Sequence, residues 1–230
     1  MRGRLLQILV FLCLSGGAAA QGVPFPSHGG LDASVRGWIQ NGLLDNGSPA
    51  APDLGTIGRL VPGGVHIGLG LTGVQSRLSF GDRLLESAMA HAFCTGLTYL
   101  GKWIFYSPRP DGSSFDSFPS GHVSVAFTGA ELMRMDYGWG WGAGGYLVAG
   151  YIGAERLWGD RHYLSDVLCG AGIGILSAHV GLWLLGPVKR LLSLPEWTWD
   201  GLGRHGSRLA LAPSSDPLSG TPTVSLALSF

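Results

Sequence analysis

The run Val167-Leu-Cys-Gly-Ala-Gly-Ile-Gly-Ile-Leu-Ser-Ala-His-Val-Gly-Leu-Trp-Leu-Leu-Gly-Pro-Val188 carries no formal charge. It exceeds the ~20 apolar residues that a bilayer-spanning helix needs. Its glycines sit inside apolar sequence, the pattern of helices that approach one another closely or of a membrane-like interior. No period-two alternation breaks it, so it reads as a helix over 164–186 that Pro187 ends.

Four similar stretches lie upstream, over about 54–76, 82–106, 121–136 and 139–157. The turns between stretches fall at Ser79–Asp82, Ser107–Pro119, Asp136–Gly138 and Trp158–Arg161. The expected fold is all-α: a bundle of about five core helices over 54–190, with the functional site at one end. Composition agrees. Among 230 residues the apolar fraction is 46%, only 13% are charged and 39 are Gly without a collagen period, which excludes disorder for the bulk and excludes collagen. Fifteen basic residues against fifteen acidic argue against a nucleic-acid partner.

The flanks differ from the block. Met1–Arg4 is short and basic, Leu5–Leu14 is apolar and Ala18-Ala19-Ala20 is small, the layout of a cleaved secretory signal over 1–20. An exported chain is therefore expected, periplasmic or in the cell envelope. Residues 21–53 read as a loose N-terminal segment with one apolar patch around Val35–Ile39. Residues 191–230 form a tail in which Arg208–Ala212 and Thr223–Phe230 alternate small or polar with apolar residues, predicting a C-terminal β-hairpin joined by Pro213–Pro222. Cys94 and Cys169 read as free thiols without a metal-site pattern.

Membrane placement divides on one helix. Leu60–Ser76 and Tyr137–Ala154 are uncharged, yet the helix after His122 soon meets Glu131, Arg134 and Asp136. Charges at mid-bilayer are costly, which favours a soluble or membrane-peripheral bundle over a membrane-embedded one.

Three short stretches concentrate the chemistry: Lys102-Trp-Ile-Phe-Tyr-Ser-Pro-Arg109-Pro110, Pro119-Ser-Gly-His122, and Arg156-Leu-Trp-Gly-Asp-Arg-His162-Tyr-Leu-Ser-Asp166. Each lies at the end of an apolar helix. Converging ends would gather Lys102, Arg109 and Arg156, and mutually repelling cations call for a polyanion. The guanidinium fork matches phosphate oxygens. Ser120 is a natural N-cap and Gly121 lets a ligand approach the helix-start amides. His162 and Asp166 are four apart and on a helix would share a face, so the carboxylate can fix the ring tautomer and leave the other nitrogen as nucleophile. His122 can protonate the leaving alkoxide and later activate water. No metal or other cofactor is required by this set.

These motifs resemble those of the type 2 phosphatidic acid phosphatases, the lipid phosphatase and vanadium haloperoxidase superfamily. That pattern is K-x6-R-P, P-S-G-H and S-R-x5-H-x3-D, and the resemblance covers about residues 54–186. It implies a helical bundle in which Lys102, Arg109, Arg156, Ser120 and Gly121 bind phosphate. It makes His162 the nucleophile, Asp166 its orienter and His122 the general acid. It also implies a phosphorylated lipid or small phosphoester as substrate, with a membrane surface as a further partner. Two departures stand out. Glu155 replaces the family Ser, where it would pair with Arg156 and weaken its hold on phosphate, or point away. The spacer from Pro110 to Pro119 is short, suggesting an open rim.

A broad-specificity secreted acid phosphatase, a vanadium haloperoxidase and a non-catalytic phospholipid-binding envelope protein are the other readings. The acid phosphatases often carry Gly-Ser-Tyr where this chain has Asp116-Ser117-Phe118. His66, His91 and His179 read as packed or surface histidines. Asp160 reads as solvated, Arg161 as either solvated or anion-steering, and Asp111 as an ordinary turn residue.

Overall fold

The computed structural model describes residues 29–43, 54–194, 208–215 and 222–229. The expected signal segment and the final Phe230 of the expected hairpin lie outside these residues. The chain runs α1 (Leu31–Trp38, continued by a π-helical turn Ile39–Leu43), α2 (Gly55–Gly58), α3 (Val61–Leu69), α4 (Phe80–Ile104), α5 (Gly121–Tyr137), α6 (Trp139–Trp158) and α7 (Leu164–Leu191). Strands β1 (Arg208–Ser215) and β2 (Pro222–Ser229) follow.

Helix boundaries have local causes. α4 starts because the Ser79 hydroxyl accepts a hydrogen bond from the Asp82 amide at 3.3 Å. α5 stops at Gly138, whose φ of 80° suits glycine, and α6 begins at the next residue. The expected helix over 54–76 is instead two short ones, α2 and α3. Pro62 in the first turn of α3 lacks the N–H that would continue the preceding turn. The last helix runs past Pro187 to Leu191 rather than ending there. Proline removes its own donor only, and the final turn is anchored where Lys189 Nζ meets Asp82 Oδ1 of α4 at 2.8 Å. The segment expected to be loose contains α1, which packs beside α7 and the end of α6.

α5 is central, packed against α3, α4, α6 and α7, while α4 and α7 also pack together. Its core contacts are small: Ala126 and Ala130 with Ala149 and Ile152, and Leu132 with Ala90 and Ala178. The closest approaches are made by glycine. A methyl on Gly170 would come within 2.6 Å of the Ser120 carbonyl oxygen, and one on Gly174 within 2.5 Å of the Ser124 carbonyl oxygen. Four residues apart on α7, these two lay that helix directly on the backbone of α5. Cys94 and Cys169 are free thiols, as expected.

The interior is polar for a bundle with so few charges. Glu131 of α5 accepts from Arg134 at 2.6 and 2.7 Å, from the Tyr146 hydroxyl at 2.6 Å and lies 2.9 Å from His179 Nε2. Asp136 lies 2.8 Å from His66 Nε2 and 3.1 Å from Arg77. The charges that weighed against an embedded α5 are thus paired inside the protein. The outer faces are apolar: Leu147 is 76% exposed, and Leu168, Trp183 and Phe93 are also exposed. α7 is, among the described residues, the one helix long and apolar enough to cross a membrane.

In the tail, β1 and β2 pair antiparallel with Leu209 opposite Leu228 and Leu211 opposite Leu226. β1 extends past the expected Ala212 to Ser215, with Pro213 opposite Val224. Each strand of a two-stranded pair has a free edge, where proline is tolerated.

The glycine contacts make a direct prediction. Gly174→Ala should cost about 1–3 kcal/mol through overpacking, whereas Gly150→Ala on α6, where an added methyl meets nothing within 4 Å, should not. Denaturant or thermal melts of the two variants against the parent check this.

Candidate active site

The site forms where the C-terminal ends of α4 and α6 meet the N-terminal ends of α5 and α7. The Ser120 amide donates to the Asp166 carbonyl at 3.1 Å, joining the starts of α5 and α7. Ser120 occupies the N-cap position of α5 but makes no side-chain capping bond. Its buried hydroxyl has no hydrogen-bond partner among the described residues. The expected cap is therefore not formed by that hydroxyl, and the first-turn amides of α5 keep no side-chain cap. Gly121 and His122 open the helix, both partly buried.

Lys102, in the last turn of α4, and Arg109, in the following loop, converge on Asp116. Lys102 Nζ donates to the Asp116 carbonyl and lies 3.9 Å from its carboxylate. Arg109 places Nε 3.0 Å from Asp116 Oδ1 and donates from Nη2 to Oδ2 at 3.3 Å. The Nε contact is close but poorly aligned for a hydrogen bond, so it acts mainly through charge. Burial alone would raise the Asp116 carboxyl, but the Ser114 hydroxyl and the Lys102 and Arg109 charges outweigh it and hold it below the ordinary carboxylate range. Sequence reasoning noticed Asp116 only as a departure from Gly. A carboxylate seven and fourteen positions from two cations, in a loop, carries no periodic signal.

His162 is 4% exposed, and its Nδ1 lies 3.6 Å from Asp166 Oδ2. That separation is electrostatic contact rather than a formed hydrogen bond. The pair meets differently from the shared-face expectation. His162 precedes α7, and Asp166 in its first turn folds back, accepting from the Tyr163 amide at 2.9 Å and from the Ser117 hydroxyl. Ser117, also unforeseen, ties the stretch before Pro119 to the histidine's partner. Burial is the main cause that lowers the His162 pKa. Asp166 opposes it, and the nearby Lys102 and Arg109 charges add to the lowering.

Arg156 ends α6 and is buried. Its Nη2 donates to Glu155 Oε1 at 2.8 Å, so of the two orientations left open by the sequence the paired one is observed. α2 lies over this pair. A methyl on Gly55 would sit 2.3 Å from Glu155 Oε2 and 2.4 Å from Arg156 Nη2. The Arg156 carbonyl accepts from the amides of Arg161 and His162, fixing the turn that presents the histidine.

The rim corrects two readings and bears out a third. Asp160 is not solvated but paired with Arg36 of α1 at 2.6 Å. Arg161 pairs with Asp111 at 3.1 Å. Asp111 also accepts from the Ser113 amide at 2.9 Å, the expected turn bond. His66 and His91 are packed, as read, and lie outside this cluster.

A buried histidine that resists protonation has two measurable consequences. His162 should titrate below the ordinary ~6.5 in an NMR pH series. Its burial as neutral imidazole stabilises the fold fully above that unfolded value, and the contribution should be lost as pH falls toward the lower folded pKa. Removing it in His162→Gln should flatten that part of the stability–pH curve.

A family model described as the PAP2 superfamily matches residues 83–190, a segment containing all three motifs. The chain is similar to a lipid A 1-phosphatase of Porphyromonas gingivalis, 38% identical over 133 residues, covering 56% of this chain and 30% of the relative. It is also similar to the bacitracin transport permease protein BcrC of Bacillus licheniformis, 34% identical over 87 residues, covering 35% of this chain and 41% of the relative. The chain thus spans less than half the length of these curated relatives. Among solved structures, LpxE of Aquifex aeolicus has a TM-score of 0.53 and 25% identity, covering 68% of this chain and 97% of that one. A transmembrane PAP2-type phosphatidylglycerolphosphate phosphatase of Bacillus subtilis shares the fold, with a TM-score of 0.53 and 20% identity, covering 82% and 97%. The helical core of this chain, residues 83–190, is thus similar in sequence and in fold to the PAP2 superfamily.

Proposed function

We propose that this chain is a metal-independent phosphatase that hydrolyses phosphomonoesters or diphosphates of lipids through a phosphohistidine on His162. The carrying observation is the convergence of Lys102 and Arg109 on one carboxylate, beside a buried His162 backed by Asp166. Two cations holding an internal anion are two cations arranged for an external one.

In this reading phosphate exchanges with the Asp116 carboxylate and takes its place against Lys102 and Arg109. Arg156 and the first-turn amides of α5, past Ser120 and Gly121, bind the remaining oxygens. Neutral His162 attacks phosphorus in line while Asp166 stabilises the charge that develops on the ring. The P–O bond to the leaving group breaks, and His122 gives that oxygen its proton. His122 then takes a proton from water, which attacks the phosphohistidine and releases phosphate. Glu155 tempers Arg156 and favours product release over tight binding.

Lipid substrates follow from the surroundings. Trp103 is 82% exposed beside Lys102, and Tyr106 stacks on Phe115 at 4.6 Å on the same rim. Trp139 and Trp141 are exposed at the far end of α6, whose 20 residues place them about 30 Å from Trp158. Two aromatic groups at that separation match the two interfaces of a bilayer with a hydrocarbon core of about 30 Å. The account therefore embeds the bundle in a membrane with the site at one interface. The similarity to a lipid A 1-phosphatase is the reason to try phosphorylated lipid A first.

Phosphate release from phosphorylated lipid A, phosphatidate, a polyprenyl diphosphate and p-nitrophenyl phosphate tests the proposal. Release should persist with chelator and be blocked by vanadate, with lipids preferred. His162→Ala should lose at least ~10³-fold in kcat while remaining folded. Preference for p-nitrophenyl phosphate would support a general acid phosphatase. Wild-type turnover in His162→Ala would remove the assigned nucleophile.

A further inference from the structure

Outside the matched family segment, α1 reaches back across the site. Arg36 donates from Nε and Nη2 to the two carboxylate oxygens of Asp160, at 2.7 and 2.6 Å, and from Nη2 to the Pro110 carbonyl at 3.0 Å. One guanidinium thus grips the loop that follows Arg109 and the loop that precedes His162. The two loops are themselves joined there, since the Asp111 amide donates to the Asp160 carbonyl at 3.1 Å. Asp160 sits in the left-handed backbone region at φ 53°, which Asp tolerates better than most residues.

A second grip comes one turn earlier on α1. Asp32 accepts from the Ser165 amide at 3.0 Å and from the Ser165 hydroxyl at 2.7 Å. Ser165 lies in the first turn of α7, so a carboxylate from a distant segment satisfies an amide of that helix start. Between the two grips, Val35 and Ile39 of α1 face a small crevice shared with Leu157, Leu164 and His162. Gln40 completes the seam by donating to the Trp158 carbonyl at 3.3 Å.

We infer that α1 is a positioning strap for the catalytic site, and that Arg36 and Asp32 are positioning residues that hold the loop of Arg109 and the turn of His162 in one register. Neither side chain touches the reacting atoms. They act through Pro110, Asp160 and Ser165, each within four residues of a proposed catalytic or phosphate-binding group. In-line transfer depends on the distance between the phosphate held by Lys102 and Arg109 and the nitrogen of His162. A bidentate guanidinium across both loops fixes that distance at a place where the PAP2 segment alone has only one backbone bond and the Arg161–Asp111 pair. The inference rests on the proposed function for its kinetic readout and is independent of it for its structural one.

The test uses the full chain in detergent with p-nitrophenyl phosphate, vanadate and amide hydrogen exchange. Arg36→Ala should lower kcat about 10- to 100-fold, the scale of a small misplacement at a reacting centre, and weaken vanadate inhibition by about as much, with KM and thermal midpoint little changed. Amide exchange at Asp111 should accelerate while that of α5 stays as in the parent. Arg36→Lys should recover only part of kcat, because an ammonium cannot bridge Asp160 bidentately and also reach Pro110. The exchanged pair Arg36→Asp with Asp160→Arg should exceed either single variant. Asp32→Asn supplies the parallel measurement at Ser165 should Arg36→Ala fold poorly. Wild-type kcat, vanadate inhibition and Asp111 exchange in Arg36→Ala would overturn the inference. If the parent releases phosphate neither from p-nitrophenyl phosphate nor from the lipid phosphates, but Asp111 and Ser165 still loosen in the variants, the strap stands and the proposed function fails.

Discussion

Everything at the site depends on how closely α7 lies against α5. Gly170 and Gly174 put the α7 backbone in contact with the carbonyls of Ser120 and Ser124, where even a methyl group would not fit. That contact aligns the starts of both helices and permits the Ser120 amide to bond the Asp166 carbonyl. With these ends fixed, His162 stands just before the start of α7, beside Asp166 and near the Lys102 and Arg109 charges. A wider helix spacing would part Ser120 from Asp166, whatever the loops did. Glycine inside the apolar runs is what lets the two helix starts meet.

Charge is distributed to match. Two interior carboxylates are paired, Glu131 with Arg134, Tyr146 and His179, and Asp136 with His66 and Arg77, so that the outer faces are free to be apolar. At the site the arrangement is different. Asp116 is held by Lys102 and Arg109 but remains half exposed, a partner that solvent and substrate can reach. Buried pairs far from the site are costly to break. The Asp116 pair is the more exposed one.

The bundle, its central helices and the residues of the cluster were legible from the sequence because they are carried by long apolar runs and fixed spacings. Lys102, Arg109, His122, Arg156, His162 and Asp166 sit at run ends, where charge is conspicuous. What was not legible came from contacts between segments distant in sequence. Asp32 and Arg36 lie in a stretch rich in Gly, Pro and Ser that reads as loose, and their partners Ser165 and Asp160 are more than 120 positions away. Asp160 looked solvated for the same reason. Pro187 misled because local propensity ignores the tertiary anchor that Lys189 finds on Asp82. The His162–Asp166 pair was found by a four-residue spacing, although the geometry that joins them is a folded-back helix start rather than a shared helical face.

The central claim is a covalent phosphohistidine at His162, and rapid acid-free quenching of turnover with a labelled lipid phosphate tests it most directly. The account predicts an acid-labile, alkali-stable phosphoryl group recovered on the peptide containing His162. Label on another residue, or inversion at phosphorus with no phosphoenzyme, would contradict it.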